Sequence, residues 1–151
     1  YFGEMIIKYI HDPMYGVNYI LAYNLKDNNL ATLGKKLTEA FGTYFDTPDI
    51  NDDENGFCAE YHLDKGLFIL MVIKRLTNSP EDKSVLAHEC FHATEATLKS
   101  RGIKYCKETT EVWAYNIEML VRIFSEDLGK KCTINKREIR RIIKLHKAKN
   151  V

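Results

Sequence analysis

The spacing of apolar positions changes several times along the chain, and each change marks an element. Residues 4–24 hold two apolar runs, "EMIIKYI" and "VNYILAYN", on either side of "HDPMYG". Asp-Pro and Gly are turn residues, so this stretch predicts a β-hairpin. Leu30, Leu33, Leu37 and Phe41 then recur at helical spacing, which predicts a helix over about 28–45. After the acidic, turn-rich "DTPDINDDENG" a second hairpin reads "FCAEYHL", "DKG" and "LFILMVIKR". Its second strand is apolar without interruption, a pattern that fits burial on both faces or a partner lying along one of them.

Three helices are expected to finish the chain, at about 80–101, 107–127 and 135–148. The predicted fold is α+β: a small antiparallel sheet of two hairpins with a helix between them, followed by a helical half. No repeat, low-complexity tract or Gly/Ser linker interrupts it.

Composition narrows the class. The chain has 151 residues, 45% apolar and 28% charged, with nine Tyr and seven Phe; this is one ordinary globular domain, and so many rings need burial. No apolar run reaches the roughly 20 residues of a membrane-spanning helix, and no secretion signal opens the sequence. Cys58, Cys90, Cys106 and Cys132 show no CxxC spacing and read as reduced thiols, so a cytoplasmic location and no membrane partner are expected.

Charge is unevenly spread. Nine of the 22 Lys/Arg lie in residues 130–151 with a single acid, Glu138, which leaves the first 129 residues net acidic. Residues 1–129 are accordingly read as the body of the domain and 130–151 as a basic helix or tail docked on it. Ile139, Ile142, Ile143 and Leu145 would dock that helix while its cations face solvent; nucleic-acid contact, or docking to an acidic partner, is the alternative.

The chemistry concentrates in "AHECFHATEATLKSRG", residues 87–102, where His88, Glu89 and His92 spell H-E-x-x-H. The spelling matters only on a helix, and here the helix signals are complete. Ser79 can cap, Pro80 suits the first position, Glu81 and Asp82 favour the positive end of the dipole, and Gly102 supplies a left-handed exit. His88 and His92 then share one face with Ser84, Glu95 and Lys99, while Val85, Leu86, Cys90, Phe91, Ala93, Ala96 and Leu98 cover most of the rest. A helix apolar nearly all round is expected to be buried, with its polar stripe turned to a cleft.

Histidines at i and i+4 can each give a ring nitrogen to one Zn2+ at about 2.0–2.1 Å. The Glu between them flanks the ion without binding it and can take a proton from the activated water. The plain alternative is a buried helix in which two histidines and a glutamate satisfy one another.

A catalytic zinc takes three protein ligands and keeps one position open. In the next helix, "KETTEVWAYNIEMLVRIF", Glu108, Glu111, Tyr115, Glu118 and Arg122 form a polar stripe opposite Trp113, Ile117, Leu120 and Phe124. Either Glu108 or Glu111 is placed to approach the histidines if that helix folds back on its predecessor. Tyr115, or Tyr105 in the connection, is a candidate donor to a developing oxyanion. Glu95 is a poor ligand candidate, a turn beyond His92 and suited to pairing with Lys99. His11 and His62, on or beside strands, read as packed or surface histidines.

H-E-x-x-H followed by a Glu about twenty residues on, in the next helix, resembles the gluzincin branch of the zincin metallopeptidases. The stretch "ETTEVWAY" also resembles the E-x-x-A-Y-type sequence of small HExxH proteins from phages and mobile elements. The resemblance covers roughly residues 80–124 and implies Glu111 as the third ligand, Glu89 as general base, a Zn2+ cofactor and a peptide or protein substrate. It departs at Tyr115, where thermolysin-like members carry an Asp; the metzincin branch is excluded, because Glu95 stands where its members carry a Gly and no third His follows in the motif. Zincins bind extended peptides by strand addition near the active helix. "LFILMVIKR" is the candidate for that role, with a plain core strand as its equal rival.

Overall fold

The computed structural model describes residues 5–25, 30–47, 54–126 and 128. The expected helix at 135–148 and the basic tail at 130–151 lie outside the described residues.

Both hairpins form. β1 (Ile6–Asp12) pairs antiparallel with β2 (Val17–Tyr23), and β3 (Gly56–Leu63) pairs antiparallel with β4 (Gly66–Ile73). α1 (Leu30–Phe41) lies between them in sequence, and α2 (Pro80–Ser100) and α3 (Thr110–Ser125) follow, with a 3-10 turn at Lys107–Thr109 leading into α3. The architecture is α+β with a helical C-terminal half.

The hairpins are joined by a parallel pairing of β2 with β4, in register from Val17 with Leu67 to Tyr23 with Ile73. The sheet is therefore mixed, in the order β1-β2-β4-β3. The parallel join follows from layering. α1 covers one face, where Leu33, Leu37 and Phe41 pack on Ile20, Phe68 and Leu70. α2 and α3 cover the other, where Leu86, Cys90, Leu120 and Phe124 pack on Tyr19, Leu21, Ile69 and Met71. β2 is buried along its whole length and β4 from Leu67 onward, which is why their sequences lack polar alternation. β4 has a neighbour on each side, so the strand expected to receive substrate has no edge to offer; among the described residues the edges belong to β1 and β3.

α2 begins and ends where its caps dictate. Asp82 N–H donates to Ser79 Oγ at 3.2 Å, and Asp82 Oδ2 accepts from Thr77 N–H at 2.9 Å, fixing the entry. At the exit Gly102 takes φ 73°, Gly102 N–H donates to Lys99 O and Ile103 N–H to Leu98 O, a Schellman arrangement that satisfies the last carbonyls. α3 ends under Lys8 of β1, whose Nζ donates to Glu126 O at 2.6 Å.

Candidate metal centre

α2 crosses the sheet so that Leu86, Cys90, Ala93 and Leu98 are fully buried, together with Thr94 and Thr97. Two hydroxyls in this core carry a small network. Thr97 Oγ1 donates to Ala93 O at 2.8 Å, so Tyr19 must donate its own proton to Thr97 across 2.6 Å. Asn116 of α3 donates to Thr94 Oγ1 at 2.8 Å. These bonds fix the rotation of α2 between sheet and α3. Phe91, expected to be buried, is 43% exposed and forms the rim where α2 meets α3.

That rotation turns the histidine face toward β3. On β3, Phe57 and Tyr61 point to the α1 side and join its core. The alternate positions Gly56, Cys58 and Glu60 face α2 instead. They are short or polar, so α2 cannot close flat against this edge, and a cleft of about 790 Å³ remains. Its walls are Glu54, Gly56, Phe57, Cys58 and Glu60 on one side and His88, Glu89, His92, Glu95, Ala96 and Lys99 on the other. β3's contribution is missing from the sequence reading; its signal is the alternation Cys58, Glu60, His62 on a strand otherwise lined by apolar residues.

Within the cleft the Nε2 atoms of His88 and His92 stand 3.1 Å apart, with the rings at 76°. Two nitrogens bound to one tetrahedral ion at about 2.0–2.1 Å would lie about 3.3 Å apart, so the pair already has close to that bite. Glu89 is only 5% exposed, and its Oε2 finds no hydrogen-bond donor among the described residues. Burial raises its pKa above the ordinary carboxylate value; His88 and His92 pull it down, and Glu54 pushes it further up. A buried carboxylate with a bare oxygen beside two convergent imidazoles is what a water or ion partner would complete. Two ligand positions and a base thus fit a divalent cation.

The third ligand is not assembled to the same degree. Among the described residues no group of three or more His, Cys, Asp or Glu side chains stands ready to hold an ion. Glu111 lies in the first turn of α3 with its side chain exposed, and it does not line the cleft. That turn is nonetheless tied to the histidines: Trp113 packs on Phe91 with centroids 6.2 Å apart, and Phe91 meets the His92 ring at 5.8 Å. Glu108 is fully open, its pKa lowered by a backbone hydrogen bond at the start of the 3-10 turn. Glu95 pairs with Lys99 at 3.2 Å, as its spacing suggests. Tyr115 and Tyr105 are 66% and 65% exposed, and neither lines the cleft.

The remaining candidates separate cleanly. Cys90 is core. Cys58 lines the cleft as a thiol, pushed up to about 12 by burial and by the Glu89 and Glu60 carboxylates. His11 Nδ1 contacts Asn18 Oδ1 at 2.9 Å on the first hairpin, and His62 is exposed on β3. No helix among the described residues is long and apolar enough to cross a membrane.

Comparison with family models, with curated proteins and with solved structures finds no match. The reading of the site therefore stands on its geometry.

Proposed function

We propose that the chain is a small zinc-dependent hydrolase, a metallopeptidase of gluzincin type. The observation that carries this reading is the 3.1 Å approach of His88 Nε2 to His92 Nε2, over a buried Glu89 whose Oε2 lacks a donor. His88 and His92 would hold the ion, with Glu111 as third ligand. The carboxylate of Glu111 is exposed in the first turn of α3, two residues before Trp113, which packs on Phe91 beside His92. When bound, the ion supplies Lewis-acid activation of water and of a substrate carbonyl.

The protein's own residues do the rest. Glu89, seated between Gly56 and the histidines, takes the proton of the attacking water and delivers it to the leaving amine. Its burial suits this role, because desolvation raises the carboxylate's pKa above the ordinary value and makes it a stronger proton acceptor than an exposed glutamate. The edge of β3 can receive an extended backbone by strand addition alongside the cleft. Tyr115, one turn beyond Glu111, is the proposed oxyanion donor, and Tyr115→Phe should lower turnover with zinc affinity unchanged.

One observation favours a second reading. Because no third ligand stands with the histidine pair among the described residues, a zincin-like scaffold that binds without hydrolysing also fits. The basic segment at 130–151 is then the place to seek a nucleic-acid or protein partner. Glu89→Gln separates the two: the peptidase loses hydrolysis by about 100-fold or more while keeping zinc, whereas the binding scaffold loses nothing.

A further inference from the structure

The charges around the cleft are one-sided. Glu54, Glu60 and Glu95 stand at its walls and Glu89 is buried within it; the one cationic side chain among its described lining residues is Lys99, which is engaged with Glu95 at 3.2 Å. Acidic walls alone would attract only a loose cloud of counter-ions. The buried Glu89 adds a further carboxylate to the cleft lining, 5% exposed and with no donor to its Oε2 among the described residues.

β3 adds direction. Among the described residues it pairs with β4 only, and its α2-facing positions Cys58 and Glu60 lie cross-strand from Met71 and Ile69. A segment added to the free side of β3 would place alternate side chains on that same face, directly beside Glu60. Opposite charges in such cross-strand positions attract and like charges repel.

We propose that the cleft selects an extended peptide bearing a lysine or arginine, its backbone added to β3 and its basic side chain on the α2-facing side beside Glu60. The inference rests on the peptidase reading for the kind of ligand, and adds its charge. Glu60 is exposed, so its replacement leaves the core intact.

The test is fluorescence anisotropy on the metal-free full chain. The probes are three labelled peptides identical except for a central Lys, Gln or Glu, titrated against wild type and Glu60→Lys. Wild type should prefer the Lys peptide to the Glu peptide by about fivefold or more, a preference that shrinks at high salt. Glu60→Lys should weaken the Lys peptide, strengthen the Glu peptide and leave the Gln peptide nearly unchanged. The basic segment 130–151 is common to both proteins and cancels in the comparison. Equal change for all three peptides, no change, or no binding of any peptide overturns the proposal. Zinc uptake, titrated separately, keeps the two ideas apart. Normal uptake without charge selectivity defeats this inference alone; selectivity without uptake defeats the metal reading alone.

Discussion

Gly56 of β3 lies so close to the Val72 carbonyl of β4 that only a hydrogen fits there, on the side where Glu89 of α2 also approaches. A Cβ at Gly56 would stand 3.4 Å from Glu89 Oε1 and 2.6 Å from Val72 O. The second contact is with backbone in the middle of the sheet, which cannot move aside cheaply. Gly56→Ala should therefore destabilise the protein by about 1–3 kcal/mol and displace the strand that faces the Glu89 carboxylate. Urea unfolding with an unchanged m-value checks the stability; an unaltered midpoint would show that the edge of the sheet yields freely.

Glu89 itself should make stability depend on pH. Its folded-state pKa is raised, mainly by burial, so the folded protein binds a proton more tightly than the unfolded chain does. The resulting penalty is absent below the ordinary carboxyl range and grows as pH rises through the raised value. In the metal-free protein, Glu89→Gln should be more stable than wild type at neutral pH by about 1–3 kcal/mol, and the difference should close on acidification. Thermal unfolding of both proteins across that range reads it. A gap independent of pH would assign the effect to packing.

The polar network under α2 should be costly to interrupt. Thr94→Val keeps the shape of the side chain but removes the acceptor of the Asn116 bond, leaving a buried amide poorly satisfied. A loss of about 1–2 kcal/mol is expected. Thr97→Val should behave similarly by removing one of the two hydrogen-bond partners, Thr97 and Asn116, of the Tyr19 hydroxyl, whose pKa is already pushed up to about 12 by its burial. A double-mutant cycle between Thr94 and Asn116 should show coupling; strict additivity would mean that the bond contributes nothing.

Much of this arrangement is legible before any coordinates. The caps of α2 are written in Ser79, Pro80 and Gly102, and the histidine pair follows from spacing once that helix is granted. The even burial of β4 is written in its unbroken apolar run. What spacing cannot reveal is which strand lies beside which. An apolar run says that both faces are covered, not that β2 is the parallel neighbour, and so not that β3 forms the edge of the cleft. Nor can a helical wheel tell how far α3 turns. Asn116 points inward to Thr94 from a position that composition would send to solvent, and this bond helps to set the rotation that leaves Glu111 and Tyr115 exposed.

The identity of the third ligand is open to direct comparison. Glu111→Gln should lower zinc affinity by more than about 100-fold, beyond what loss of an outer carboxylate does, while Glu95→Gln changes it little. Competition against a chromophoric chelator gives both numbers. The reverse ranking would move the ligand from α3 to the cleft wall.

The most direct test of the account is where a metal sits. Crystals grown with Zn2+ and measured at the zinc absorption edge should show one anomalous peak per chain, about 2.0–2.1 Å from Nε2 of both His88 and His92, with a carboxylate oxygen completing the set. A zinc-soaked protein whose two imidazoles remain without a shared peak, the metal lying elsewhere or nowhere, would contradict it.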